Sequence, residues 1–436
     1  MTDPRPPRVT VSFVDSYCAL YKQLFSEVRS YESFRDLHLG MISNIKRKTL
    51  PEISDVVGRE NHQGLHHFLS QSPWSVSELK EQRLKTILKV LQGQEIIVIV
   101  DETGDKKQGH TTDYVKRQYI GNLGKIENGI VAVTVWGLFK GMTFPLMFEV
   151  YKPKERLKEK DEYKTKPQLA GMMLRLLKTM GFKFELVLAD SLYGESDTNF
   201  LSVLNEIEVN FAVAIRSNHG VWLPPGQRVR YNKWRKFQRL FSDGNKENRY
   251  IREIIFGKKR AVQYWQITTD INQLPENATW WIMTKIPGVK YSQVGNVYGL
   301  RTWVEYGLKQ SKNELGWADF RLTDYGEIQK WWEVVCSAYL MVSMHSEKLG
   351  HTSGELEKIY AENPEWDEKL GWKNLLNNLR LILEPFVCSN RIKSWLKMFP
   401  IPELEQGLLQ LITLMNGFGK RLDLPPKGKN FYFSSA

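Results

Sequence analysis

The stretch Tyr298-Gly-Leu-Arg301-Thr-Trp-Val-Glu305-Tyr-Gly-Leu-Lys-Gln-Ser-Lys312 places four polar side chains at offsets of 0, 3, 7 and 14 residues. On a helix of about 3.6 residues per turn, all four side chains fall within an arc of about 60°. Apolar residues occupy the adjacent side, so the pattern predicts a half-buried helix on which one acid is flanked by two cations and a phenol. This layout suits a carboxylate that holds a metal ion beside groups that hold a phosphate backbone. A solvated helix face with ordinary charge pairs is the alternative interpretation.

Two further carboxylates follow predicted strands upstream of this helix. Asp101 follows the apolar, β-branched run 95–100 and precedes a predicted loop, and Asp190 follows the apolar run 184–189. Open α/β sheets place ligand sites at strand ends, although a single Asp there is more often a helix or turn cap. Capping would have to explain Asp101, Asp190 and Glu305 separately. We therefore expect the three acids to form one functional cluster.

The order of these acids resembles a known family. An Asp, a second Asp, and a Glu inside Tyr-x2-Arg-x3-Glu-x6-Lys are similar to the DDE-type insertion-sequence transposases of the cut-and-paste branch, and all four signature positions match without a gap. Asp-x-Thr-Gly-x-x-Lys at Asp101 and Asp-x-x-Tyr-Gly at Asp190 are similar to the same branch. The resemblance spans about residues 30–350. It implies an α/β ribonuclease H-like catalytic core, a mixed sheet flanked by helices, that is interrupted by a β-rich insertion.

The implied chemistry explains why three acids are needed. Cleavage of a phosphodiester requires a water that is nucleophilic at neutral pH and a leaving 3′ oxygen that can carry charge. Two divalent ions about 3.5–4 Å apart serve both requirements, and Mg²⁺, or Mn²⁺ in its place, prefers oxygen ligands. The resemblance assigns two ions per active site to the catalytic metal ligands Asp101, Asp190 and Glu305. The DNA-binding residues that it implies beside them are Tyr298, Arg301 and Lys312.

The composition favours a polyanionic partner. The chain has 61 Lys and Arg against 49 Asp and Glu, a formal charge of +12. Residues 211–260 contain thirteen Lys or Arg and three Asp or Glu, interleaved with aromatic residues. This mixture suits phosphate contact with base stacking, although for most of the rings we prefer the interpretation that they form the core of a basic β-domain. In the resembled family a Trp of this region stacks on a flipped base, and the resemblance carries that DNA-binding role to Trp222.

The length of 436 residues and these anchors predict five regions. They are a helical N-terminal DNA-binding region (1–93), the first part of the core (94–216), a β-rich insertion (217–292), the second part of the core (293–350) and a helical C-terminal region (351–436). The insertion is expected because 305 − 190 = 115 residues separate the second and third acids. Within the first region, the segment 50–70 fits either a helix-turn-helix or a helical packing module without a DNA role.

Missing motifs argue against several other classes of protein. The three cysteines lie far apart with no Cys-x-x-Cys pair, which disfavours a zinc knuckle or a disulfide framework. No phosphate-binding loop is present, so we expect no nucleotide cofactor. The N-terminus has no apolar signal segment. The apolar helix predicted at 331–344 is too short for a bilayer span, which needs about 20 residues, so we expect no membrane partner. These features predict a cytoplasmic, nucleoid-associated prokaryotic protein.

Three functions remain in competition. The first is a transposase that binds the inverted-repeat ends of its element as a homodimer on double-stranded DNA, cleaves them and joins them to target DNA. The second is a domesticated DNA-binding protein that does not cleave, which the intact set of acids disfavours. The third is a ribonuclease H-like nuclease that cuts without joining, which has no need of the Tyr-Arg-Glu-Lys face. We therefore predict the transposase.

Overall fold

The computed structural model of the chain describes residues 5–221, 223, 225–226, 228–241, 245–255, 261–346, 365–366 and 371–421. The chain begins with helices α1 (Ser12–Ala19), α2 (Val28–Ile42), α3 (Leu50–Val56), α4 (Gln63–Ser70) and α5 (Val76–Leu91). The Thr49 and Ser75 side chains accept hydrogen bonds from the first turns of α3 and α5, which satisfies backbone donors that a helix leaves unpaired.

A single mixed sheet follows. Its strands are β1 (Glu95–Lys106), β2 (Lys116–Ile120), β3 (Lys125–Phe139), β4 (Met142–Val150), β5 (Lys183–Ala189), β6 (Phe211–Ile215), β7 (Arg235–Leu240), β8 (Lys246–Ile254), β9 (Gln263–Thr268) and β10 (Trp280–Lys285). Their order is β2-β3-β1-β5-β6-β10-β9-β8-β7, and β4 pairs with β3. β1, β5 and β6 run parallel, and the other pairs are antiparallel. Strands β7–β10, which lie within the predicted insertion, thus continue the sheet beyond β6.

Helices cover the sheet. The remaining helices are α6 (Lys166–Thr179), α7 (Ser191–Gly194), α8 (Ser202–Glu206), α9 (Tyr291–Gly299), α10 (Thr302–Asn313), α11 (Tyr325–Met344), α12 (Trp372–Met398) and α13 (Pro402–Arg421); of these, α12 and α13 pack on other helices and not on the sheet within the described part of the chain. Residues 129–139 of β3 are buried without interruption. Because successive side chains of a strand point to opposite faces, this run requires cover on both faces. α6 packs against β3 and β4, and α10 and α11 also pack against β4. The prediction of a mixed sheet flanked by helices is confirmed.

Helix α11 lies at the centre of the packing. Its residues 331–344 are all buried, as their continuous apolarity predicts. It contacts α2, α4, α5, α12 and β4. The Arg83 guanidinium on α5 binds the Glu333 carboxylate of α11 at 2.5 Å, and both side chains are 0% exposed. Arg83 also donates to the carbonyls of Pro145 and Leu146 in β4. A single buried ion pair therefore ties a helix of the N-terminal region to α11 and to the sheet.

Among the described residues, no helix has both the length and the apolarity needed to cross a bilayer.

Replacing Glu333 with Gln is expected to lower the free energy of unfolding by roughly 3–5 kcal/mol, because it leaves the Arg83 charge buried without a counter-charge. Urea or guanidinium denaturation followed by circular dichroism would measure the change. Lys85→Gln is the matched control, since it removes the exposed Lys85–Glu81 pair from the same helix. A Glu333→Gln protein as stable as the Lys85→Gln protein would contradict the expectation.

Candidate active site

The two aspartates lie side by side because of how β1 and β5 pair. The strands are parallel, and Val100 of β1 pairs with Ala189 of β5. The residues that follow this pair are Asp101 and Asp190, which therefore lie side by side. The loop predicted directly after Asp101 was wrong, since β1 continues to Lys106 by pairing with β3. Asp101 therefore lies where its neighbour β5 ends, and not at the end of its own strand. The position is still at an edge of the parallel part of the sheet.

Asp190 also caps the short helix α7. Its Oδ1 atom accepts a hydrogen bond of 3.0 Å from the backbone N–H of Leu192. The helix runs so close to β6 that a Cβ atom on Gly194 would lie 1.9 Å from the Ala214 carbonyl oxygen. Only glycine fits that contact, which gives the Gly of the Asp-x-x-Tyr-Gly motif a packing role. The capping interpretation is therefore correct for Asp190, and it occupies one of the two carboxylate oxygens.

The predicted continuous helix over 298–312 is interrupted. α9 ends at Gly299 and α10 begins at Thr302. Between them the backbone is a tighter turn, in which the N–H groups of Trp303 and Val304 bond to carbonyls three residues earlier. Two local causes are present: glycine has a low helix propensity, and the Thr302 hydroxyl donates to the Gly299 carbonyl. Arg301 therefore lies at the junction of the two helices, immediately before α10.

Arg301 bridges two of the three acids. Its Nη1 atom lies 3.0 Å from Asp101 Oδ2, and its Nη2 atom lies 2.9 Å from Glu305 Oε1. Burial alone would lower the pKa of Arg301, but Tyr298 and the nearby acids raise it above its ordinary value. The guanidinium therefore stays charged. It places a positive charge between the carboxylates.

The buried acids resist ionisation. Burial raises the pKa of Asp101 to about 7, the Asp190 and Glu305 carboxylates add to the rise, and Arg301 opposes it. Burial also raises the pKa of Asp190, against the opposing effect of Arg301 and of its backbone hydrogen bonds. Burial raises the pKa of Tyr298 to about 12. The raised pKa values of the two aspartates indicate that Arg301 does not fully offset the cost of burying their charges.

Two lysines stabilise other acids around the same cleft. Lys312 lies 3.1 Å from the buried carboxylate of Asp105 and donates to the Gly104 carbonyl. It therefore contacts β1. Lys166, at the start of α6, lies 2.5 Å from Glu102, and its charge lowers the pKa of Asp190. Sequence reasoning missed Lys166, which lies outside both Asp motifs and outside the stretch from Tyr298 to Lys312.

A cleft of about 570 Å³ lies at the three acids. The three acids, Arg301 and Lys312 all contribute to its wall, together with Lys309, which sequence reasoning also missed. Within the described part of the chain, no three acid, His or Cys side chains converge closely enough to hold one metal ion. Arg301 lies between two of the acids in this arrangement. Trp222 lies outside the described residues, so its stacking role stays a prediction.

Comparison with known proteins shows which family the chain is similar to. Residues 20–255, which include both aspartates, match the model of the family described as DDE superfamily endonuclease. The chain is 64% identical over 329 residues to the "Probable transposase for insertion sequence element IS701" of Microchaete diplosiphon, which covers 76% of this chain and 87% of that protein. It is also similar to the cryo-EM structure of the piggyBac transposase synaptic complex with hairpin DNA, at 10% identity and a TM-score of 0.45, over 92% of this chain and 77% of that one.

Replacing Asp101 with Asn is expected to stabilise the protein in EDTA at pH 8. Since the pKa of Asp101 is raised to about 7 by burial, its contribution favours folding below about pH 4, its ordinary value, and is lost as the pH rises through about 7. The melting temperature of the variant relative to wild type should therefore increase by a few degrees between pH 4 and pH 8.

Glu185→Gln is the control, since Glu185 is an exposed acid on β5. A melting-temperature difference for Asp101→Asn that is the same at every pH, or that falls toward pH 8, would contradict the raised pKa.

Proposed function

We propose a two-metal mechanism of DNA cleavage and strand transfer for this chain, which belongs to the DDE superfamily endonucleases and is a transposase of an insertion sequence. It is thus an enzyme that acts on DNA and cleaves it, and its superfamily depends on divalent metal ions. The observation that carries the proposal is the register that puts Asp101 beside Asp190, on the wall of the cleft that also contains Glu305.

Asp101, Asp190 and Glu305 have the donor chemistry of a site for two Mg²⁺ or Mn²⁺ ions, and the three acids would have to move closer together to hold them. All their donor atoms are carboxylate oxygens, which these ions prefer. The raised pKa values of Asp101 and Asp190 and the guanidinium between the acids support a need for more positive charge at this point. When bound, such a pair of ions activates water and stabilises the leaving 3′ oxygen.

We assign the remaining residues of the cleft to the DNA strand. Arg301 becomes available for a phosphate once the acids have other cationic partners, and its planar guanidinium suits bidentate contact with phosphate oxygens. Lys312 stays close to β1 and presents its charge at the same cleft. Tyr298, next to Arg301 in the helix junction, restricts where the strand lies. These assignments leave proton transfer to water and give the protein side chains positioning and charge-stabilising roles.

The substrate in this proposal is double-stranded DNA with the inverted-repeat ends of the element, bound by a homodimer. The net charge of +12 supports a large phosphate contact. We propose that residues 94–216 and 293–350 form the ribonuclease H-like core, with 1–93, 217–292 and 351–436 as the helical N-terminal region, the β-rich insertion and the helical C-terminal region. Joining distinguishes this function from that of a nuclease that only cuts, and a strand-transfer assay with a labelled end and a target plasmid separates the two.

Asp101→Asn, Asp190→Asn and Glu305→Gln are each expected to lower the cleavage rate by more than about a hundredfold, because losing a group that merely orients a metal ligand already costs about 10- to 100-fold. The amides keep the shape of the acids, and Asn also caps helices, so α7 is preserved. Cleavage of a labelled end would be followed in Mg²⁺ or Mn²⁺.

Two readouts make this test specific. End binding, measured by fluorescence anisotropy, should remain within a few-fold of wild type in all three variants. Asp197→Asn, which alters an exposed acid, should cleave normally. An acid whose amide variant cleaves at nearly the wild-type rate would have to leave the metal site, and Glu102 or Asp105 would be examined in its place.

Arg301→Gln and Lys312→Gln are each expected to reduce the log–log salt dependence of end binding by about one unit in Ca²⁺, which we choose to replace Mg²⁺ without cleavage, since each removes one phosphate contact. Binding titrations at several salt concentrations measure the slope. Lys85→Gln, exposed on α5 and absent from the cleft wall, is the control. An unchanged slope would mean that Arg301 and Lys312 serve only as partners of the acids.

A further inference from the structure

Two buried arginines lie side by side on the strands that extend the sheet. Arg239 on β7 is 8% exposed and Arg249 on β8 is 7% exposed. β7 and β8 pair at Arg239–Glu247 and at Phe237–Arg249, so both arginines project from one face of the sheet in diagonal positions. Their guanidinium carbons lie 5.2 and 4.1 Å from the centre of the Trp280 ring on β10. The two cations thus share one aromatic ring.

The pair is incompletely neutralised. Arg249 Nε donates to the Glu247 carboxylate at 2.6 Å. Arg239 Nε and Arg249 Nη1 are buried, and neither has a hydrogen-bond acceptor within the part of the chain that the structure describes. Burial lowers the pKa of Arg239, and the Arg249 charge lowers it further. Two buried cations that share one carboxylate, with N–H groups left over, need a further anion to satisfy them.

This arginine pair is next to the active-site helices. A Cβ atom on Gly299, the last residue of α9, would lie 3.4 Å from Arg239 Nε. Tyr298 and Glu305 are close enough to raise the pKa of Arg239, against the larger effect of burial. Asn296 of α9 bonds to the backbone of Gln238 and Leu240 on both sides of Arg239. The arginine is therefore held against the junction from which Arg301 projects.

We propose that Arg239 and Arg249 form a binding site for one phosphodiester of the DNA strand that enters the active site. The inference rests on the proposed function, because the strand is the one whose scissile phosphate lies at the three acids. Guanidinium groups bind phosphate oxygens in pairs of parallel hydrogen bonds. Trp280 contacts both guanidinium groups through its ring and gives their N–H groups no hydrogen-bond acceptor. Burial reduces the screening of this contact by salt.

A purely structural role explains the pair less well. Arg83, which joins α5 to α11 and the sheet, has its N–H groups bonded to Glu333 and to two carbonyls of β4. Arg239 Nε has no hydrogen-bond acceptor among the described residues, and the guanidinium group contacts the rings of Phe241 and Trp280. Uncompensated buried charge beside a DNA-cleaving site is therefore better assigned to a phosphate contact.

The test measures whether one DNA phosphate and one arginine side chain contribute to binding through the same contact. End duplexes with one methylphosphonate at each position around the cleavage site would be titrated, in Ca²⁺, against wild type, Arg239→Gln and Arg249→Gln. In wild type we expect one neutralised phosphate to weaken binding about tenfold or more. In either Gln variant the same neutralisation should have almost no further effect, because the partner of that phosphate is already lost. Arg→Lys variants should recover part of the affinity.

Arg252→Gln is the matched control. Arg252 is on β8 as well, three residues after Arg249 and hence on the opposite face, and it also contacts two rings, those of Tyr231 and Trp234. This variant should keep the full effect of the methylphosphonate at that position. Thermal unfolding of every variant shows whether it is folded, and the Lys variants serve if a Gln variant is not.

Three results would overturn the inference. One is an equal methylphosphonate effect in wild type and in the Arg239 and Arg249 variants. Another is stabilisation of wild type by inorganic phosphate, lost in the variants, without any coupling to a DNA phosphate, which would indicate a site for free phosphate only. The third is no effect of phosphate or of methylphosphonate on any protein. Failure of the proposed function would look different, since wild type would show the coupling and yet neither cleave nor join the ends.

Discussion

The structure depends on one electrostatic constraint, the position of two carboxylates on adjacent strands of a partly buried cleft. The parallel register of β1 and β5 puts Asp101 beside Asp190. Burial raises the pKa of both aspartates, and the Asp190 charge adds to the rise at Asp101. Groups from elsewhere in the chain offset this charge. Arg301 reaches Asp101 from the helix junction, and Lys166 approaches from α6. Asp101 and Asp190 are costly to ionise in the folded state. A role in the chemistry of the site explains why the chain has acids at these positions.

A rigid frame keeps these groups in place. The buried pair of Arg83 and Glu333 joins α5, α11 and β4, and α10 lies on the same strand β4. Glycines allow the closest approaches. A Cβ atom on Gly295 would lie 2.1 Å from the Phe237 ring, so α9 packs directly on β7 because position 295 has no side chain. The helix that ends next to Arg301 is therefore positioned by the strands of the predicted insertion.

The continuity of the sheet has a functional consequence. Strands β7–β10 extend β6, so the basic segment of the chain belongs to the same rigid sheet as the acids. Arg239 and Arg249 are held on this extension beside the end of α9. Most rings of the segment were expected to form its core, and Phe237 does so, whereas Tyr231 is exposed. A phosphate site and a cleavage site on one sheet would keep a fixed separation along a DNA strand.

The sequence by itself determined the local elements and the family. Apolar runs predicted β5 and the buried helix α11, and the spacing of the acids indicated the transposases, since local periodicity and motif order are written in neighbouring residues. Tertiary structure decided the continuation of β1 past Asp101, the contact of Lys312 with Asp105 and the place of Arg239. Each of these depends on a partner distant in the chain: β3 supplies the pairing for β1, and α9 packs on β7. Such pairings leave no periodic signal in either segment alone.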